Sequence, residues 1–306
     1  MFSLKSSFMK FLSIFLLFQL LSVLSFAQIT IETERDENGN ILFFSENPEI
    51  IPYSVILNFP TLQNLTSTGG GSVMGLAMPG RIRLATLKPT LAGQGTNYSF
   101  SYSFAKGNVY GKNKTEPVYL IPVQEGVKVQ AFLLTTIENR LGRDEGDNPY
   151  RGVSFRFEEP TIIIAPRKGI VAEIKMQENP GANNLDFSSN ENHIELYHED
   201  GTITRIMVLK SGSQKVEVGQ MVFPGDELAE SAGENYNSGR HVRMVCLKTE
   251  KVGTEKLKYT NIPVKFSTPT GNRVIAQPEE LEVVFPREII ILEMSKKEMK
   301  VFEEGK

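Results

Sequence analysis

A single cysteine, Cys246, stands among 306 residues, which excludes an intramolecular disulfide framework and leaves the fold to rest on its hydrophobic core. A lipid anchor at a leader's cleavage point is not expected either, because Cys246 lies far downstream in an apolar run, where it reads as a small buried hydrophobe. Histidine is also scarce. With three of them there are few ways to assemble a Ser/His/Asp triad, and no Gly-x-Ser-x-Gly elbow accompanies them. The Gly69-Gly70-Gly71 run lacks the Lys and helix of a phosphate-binding loop and reads as a turn.

The beginning of the chain is different in character. Lys5 and Lys10 flank the start of the apolar run Phe11 to Leu24, which ends in Ser25-Phe26-Ala27 before Gln28. This is the layout of a secretory signal peptide with cleavage expected after Ala27, and the run falls short of the ~20 residues a spanning helix needs. No transmembrane segment is expected in the mature chain, which should reside in the periplasm or outside the cell. Loss of residues 1–27 removes two lysines and no acid, leaving 31 basic against 36 acidic side chains, a net charge of −5. That balance argues against a nucleic-acid partner.

Helical periodicity is hard to find after the leader, whereas short runs rich in Val, Ile, Phe, Tyr and Thr recur between Gly, Pro, Asn and Asp. Tyr53 to Phe59, Asn97 to Phe104, Gly169 to Met176, His193 to His198, Thr202 to Leu209 and His241 to Leu247 are such runs. The chain therefore reads as all-β. A β-rich N-terminal region is expected over 28–137, a charged boundary loop over 138–150, a second β domain over 151–275 and a terminal strand with a charged tail over 276–306. The last residues, Ser295 to Lys306, are expected as an edge strand or a frayed, solvated end.

Several motifs inside the second region occur in a distinctive order. Ala165 to Ile174 places Gly169 between two β segments, and Glu191 to Thr202 reads as a strand, an Asp200-Gly201 hairpin turn and a returning strand. Val216-Glu217-Val218-Gly219-Gln220-Met221-Val222-Phe223-Pro224-Gly225-Asp226-Glu227-Leu228 follows, then Ser231-Ala232-Gly233-Glu234 and Ser238-Gly239-Arg240-His241-Val242-Arg243. Across residues 150–247 this resembles the LytM/lysostaphin-type peptidoglycan zinc metallopeptidases, of duplicated hybrid motif fold, as a degenerate member. Asn47 to Phe59, Met78-Pro79-Gly80, Leu87-Lys88-Pro89 and Tyr98 to Tyr102 look like the β-rich extension of one subgroup. The resemblance implies an N-terminal β-sandwich-like extension followed by an antiparallel β-sheet domain with an open groove.

A catalytic zinc needs three His, Asp/Glu or Cys ligands and an open position for water. At the positions where the resemblance places the ligands, this chain has Tyr150 or Glu145 for a histidine, Ser154 for an aspartate, and Arg243 for the second histidine of a His-x-His pair. Val208 stands where a catalytic histidine precedes a leucine, and only His241 matches a catalytic position. Arg243 is a permanent cation where a divalent one would bind. His193 and His198, five residues apart, face opposite sides of a strand, and Cys246 faces away from His241.

Strand alternation puts Arg156 on the face of Ser154 and Arg243 on the face of His241, so Arg156, His241 and Arg243 are candidates to line the groove and take a carboxylate ligand. The alternative is that each arginine pairs with a local acid such as Glu158 or Glu173 and stabilises the fold. The expected function is that of an exported, catalytically inactive LytM-like protein that binds a peptidoglycan peptide or an envelope protein and regulates peptidoglycan remodelling, with no cofactor. The competing expectation is a zinc metalloendopeptidase acting on peptidoglycan cross-links with an altered ligand set that includes Glu145 and His241. A structural envelope protein is the third.

Overall fold

Residues 29–134, 151–179, 185, 190–253 and 256–305 are described by a computed structural model, and strands dominate them. The N-terminal region supplies β1 (Thr30–Arg35), β2 (Ile41–Asn47), β3 (Tyr53–Gln63), β4 (Leu65–Thr66), β5 (Ser72–Ala77), β6 (Gly80–Pro89) and β7 (Asn97–Lys106). Next come β8 (Val118–Tyr119), β9 (Lys128–Leu134), β10 (Gly152–Arg156), β11 (Ile162–Ile164), β12 (Gly169–Lys175), β13 (His193–Tyr197) and β14 (Thr202–Met207). The remainder holds β15 (Met221–Val222), β16 (Glu227–Glu230), β17 (His241–Val252), β18 (Lys256–Ile262), β19 (Lys265–Phe266), β20 (Glu279–Glu282), α1 (Arg287–Ile290) and α2 (Lys296–Glu304).

Sheets β1-β2-β6-β4 and β5-β3-β7 share one apolar core, which makes the expected sandwich. Every second residue of β2 is buried, the period-2 signature of a strand with one face inward. Phe43, on that face, meets Phe59 and Phe100 edge-on with ring centroids 5.2 and 5.1 Å apart. The middle strand β3 is hydrogen-bonded on both sides, so Tyr53 to Leu57 are buried without alternation.

The second region is built on one large sheet, ordered β15-β12-β13-β14-β17-β10-β9-β20 with β18 added to β17. Its inner face carries Val153, Phe155, Val171, Ile194, Leu196, Ile206, Val242, Met244 and Cys246, packed against Ile163, Leu228, Ala229, Tyr119 and Phe266 of the smaller sheets β11-β16 and β8-β19. Each such Val, Ile, Leu or Phe contributes roughly 1.5–3 kcal/mol on burial. The opposite face of β17 presents His241, Arg243 and Val245.

The Asp200-Gly201 turn joins β13 to β14 as expected, with the His198 amide donating to the Thr202 carbonyl at 2.9 Å. Gly201 has φ +84°, and a Cβ there would come within 2.2 Å of the Asn108 carbonyl, so the turn also lets the chain leaving the sandwich pass close by.

Strand pairing runs across the boundaries of the expected regions. The boundary loop 138–150 lies outside the described residues, but β9 before it pairs with β10 after it. β20 in turn pairs with β9, so the large sheet draws strands from 128–134 and 279–282 as well as from 151–275. Strand pairing across the sheet edge, which local composition does not encode, decides this. The end of the chain is helical, not an edge strand. Ser295 and Glu298 form a capping box at the start of α2, and Lys168 holds Glu298 with an ion pair of 2.8 Å. Among the described residues no helix is long and apolar enough to cross a membrane.

Candidate functional site

Antiparallel pairing of β10 with β17 sets Ser154 opposite Arg243 and Arg156 opposite His241. These four side chains therefore share the face turned away from the core, as the alternation implied. Ser154, His241 and Arg243 are all buried. Tyr150 and Glu145, the positions considered for the first metal-binding histidine, lie outside the described residues.

Arg243 is not free. Its Nη1 ion-pairs with Glu191 Oε1 at 2.9 Å, each side chain being 7% exposed, and its Nε–H donates to His241 Nε2 at 3.1 Å. The Tyr236 hydroxyl donates to the same Glu191 oxygen at 2.6 Å, and the Tyr236 ring lies beneath the Arg243 guanidinium at 5.1 Å. His241 Nδ1 lies 2.7 Å from the Gly239 carbonyl, so the ring donates there and accepts from Arg243, the pattern of one neutral tautomer. Burial lowers the His241 pKa to about 4, and the Arg243 and Arg156 cations push in the same direction.

Glu191 is held in place by its neighbour. The Asn192 amide donates to the carbonyls of Glu178 and Leu209 at 2.8 and 3.0 Å and accepts from the Glu178 N–H at 2.8 Å. Val208 lies beside this network, its amide donating to the Asn192 carbonyl at 3.1 Å. It is buried and has φ +69°, a left-handed conformation that is an outlier for a β-branched residue. A cavity of about 440 Å³ runs past Val208, Glu191 and Tyr236.

The same sheet face carries a second polar cluster. Glu173, His193 and Glu195 bring one ligand atom each within 4.8 Å of one another, the arrangement of a cation site. The cation already there is Lys106 of β7, which binds Glu173 and lies 2.8 Å from Glu195 Oε2, while Arg205 Nε donates to Glu195 Oε1 at 2.8 Å. The Glu173 carboxyl is lowered to about 2 by its hydrogen bond from His193 and by Lys106. His198 points the other way, into the core, with its ring nitrogens 2.7 Å from the Lys168 carbonyl and from Thr204 Oγ1. Burial and the Arg167 charge lower its pKa to about 3.

Arg156 differs from Arg243. Its guanidinium lies 4.3 Å over the Phe132 ring, its Nε is buried without a hydrogen-bond partner, and it makes no ion pair among the described residues. It lines a groove of about 1270 Å³ between β10, β9, β20 and the Glu234–Arg240 segment, where Arg240 and Glu234 pair at 3.2 Å and Lys128 adds a further positive charge. Neither arginine therefore pairs with Glu158 or Glu173. Glu191, Tyr236, Lys106 and Glu195 had no role in the sequence reading. Alternation could have placed Glu195 with His193, but Lys106 reaches the cluster only through the packing of the sandwich on the sheet.

Residues 148–253 match the model of peptidase family M23. This segment is an M23 domain. The motifs from Ala165 to Arg243 on which the LytM resemblance rests fall inside the match. Csd3 from Helicobacter pylori is similar at 12% identity, over 90% of this chain and 84% of that one, with a TM-score of 0.32. A zinc containing peptidase from Vibrio cholerae is similar at 13% identity over 86% and 89% of the two chains, TM-score 0.27. For a putative peptidase M23 from Pseudomonas aeruginosa the values are 14%, 65%, 83% and 0.24. No curated protein matches the chain.

Zinc is the metal usual to M23 domains, and among the described residues the position that the resemblance implies for a ligand does not offer it a donor. At the position implied for a ligand, Arg243 directs an N–H at the one lone pair of His241 that a metal would need, and Glu191 neutralises the guanidinium. In the Glu173/His193/Glu195 cluster both oxygens of Glu195 already face cations.

Proposed function

We propose that this is an exported, non-hydrolytic M23-domain protein that binds peptide, from peptidoglycan or from an envelope protein, in the groove of its large sheet, and that it regulates peptidoglycan remodelling. The observation that carries the reading is the buried set of Glu191, Arg243 and His241, a closed arrangement with a fixed cation in place of an exchangeable one. Such a centre supplies neither a metal-bound hydroxide nor a general base, since a histidine held at about 4 with its Nε2 lone pair engaged has little capacity to take a proton. The shape of the groove is set by strands and turns and does not depend on the metal.

The experiment is elemental analysis of the mature protein together with digestion of, and co-sedimentation with, purified peptidoglycan. Less than 0.1 zinc per chain (roughly the trace level expected where no buried donor set exists), no cleavage, and retention on the pellet are expected. One zinc per chain with chelator-sensitive cleavage would establish instead the metalloendopeptidase with an altered ligand set. Failure to sediment with peptidoglycan would shift the ligand to an envelope protein or to no peptide at all.

A further inference from the structure

The arginines in the described M23 sheet and its flanking segments mostly have a carboxylate within reach: Arg167 with Asp200 and Glu293, Arg205 with Glu195, Arg240 with Glu234, and Arg243 with Glu191. Arg156 has none. One face of its guanidinium is covered by Phe132 and its Nε is buried, which leaves the two Nη groups as the side for a groove ligand to meet. A buried Nε–H without an acceptor is an unfavourable arrangement for a protein to keep in its own fold. The groove around it is mixed in charge but acidic in balance, since Lys128 and the Arg240–Glu234 pair also line it. Glu158, Glu159, Glu280 and Glu282 line it, are exposed, and make no ion pair among the described residues.

We propose that Arg156 is the anchor for a free carboxylate of a peptide ligand and that the surrounding glutamates take an amino group of the same ligand, so that the groove selects amphoteric peptides. This rests on the peptide-binding reading above and names the chemistry of the ligand. A planar guanidinium backed by an aromatic ring is suited to a carboxylate, which it meets through two parallel N–H···O bonds. A simple anion gains the same bonds but meets an excess of negative charge at the rim, four glutamates against Lys128, whereas a ligand that also carries an ammonium group satisfies both charges. Arg243 takes no part, because Glu191 already holds it.

The test is calorimetric titration of the mature chain with three probes: acetyl-Ala-Lys-Ala with a free carboxylate, the same peptide as its C-terminal amide, and the same acid with its lysine acetylated. The free acid is expected to bind about tenfold more tightly than either of the others, the scale of one charge-assisted contact. Arg156→Leu should remove the preference for acid over amide, and Arg156→Lys should keep part of it. Glu280→Gln with Glu282→Gln, both on the surface, should remove the preference for free over acetylated lysine while leaving the preference for acid, which gives a readout even if Arg156→Leu fails to fold. Equal binding of acid and amide, or an unchanged preference in Arg156→Leu, overturns this proposal and leaves peptide binding standing. No binding of any probe overturns the proposal and counts against peptide binding as well.

Discussion

Replacing Arg243 by leucine tests whether a fixed ion pair holds the M23 domain's would-be metal centre. The substitution removes the guanidinium 2.9 Å from the Glu191 carboxylate, which is 7% exposed and accepts from Tyr236. Removing one partner of a buried pair costs about 3–5 kcal/mol, because the remaining charge stays desolvated. Replacing both, Arg243→Leu with Glu191→Leu, removes the stranded charge and should recover most of that loss, since apolar replacements of buried pairs are often close to neutral. Urea unfolding followed by far-UV circular dichroism gives the four corners of the cycle, and a loss of this size is a large share of a domain's ~5–15 kcal/mol. The single variant should also free His241 Nε2 and remove a neighbouring cation, so its imidazole should titrate at higher pH in proton NMR. A single variant that costs under about 1 kcal/mol, or a double variant no better than the single, would refute the ion-pair account.

Acid should destabilise the protein in a defined window. His241 and His198 titrate at about 4 and about 3 when folded and near 6.5 when unfolded, so the unfolded chain binds more protons as pH falls below 6.5. The stability they contribute is complete above that value and is lost toward pH 4 and 3, at up to about 1.4 kcal/mol per pH unit for each histidine; urea midpoints at pH 7, 5.5 and 4.5 measure it, and flat midpoints would contradict both shifts. Val208→Gly and Val242→Gly both remove a buried valine, but only the first relieves a positive φ. Val208→Gly should therefore be the milder by about 1–2 kcal/mol in thermal or urea unfolding. Lys106→Met leaves Glu173 without its ammonium partner, so the Glu173 carboxyl should titrate well above its present value of about 2, as carbon-13 NMR would report. Chelator treatment should leave the melting temperature unchanged, whereas a fall of several degrees would indicate a bound structural metal.

Much of this was legible because strand geometry is local. A period of two fixes which residues share a face, so the sequence alone placed Arg156 with Ser154 and Arg243 with His241, located the Asp200-Gly201 turn, and gave the all-β class. Residue identity also decided that positions 154, 208 and 243 carry no metal-binding side chain. What each arginine touches was beyond it. Glu191 meets Arg243 from 52 positions away, Lys106 crosses from the sandwich to Glu195, and β9 and β20 complete the sheet across segments that composition assigns elsewhere. Charge pairing depends on distances of a few ångströms between strands brought together by burial, and that is why tertiary packing, and not the order of residues, made one guanidinium part of the core and left the other open to the groove.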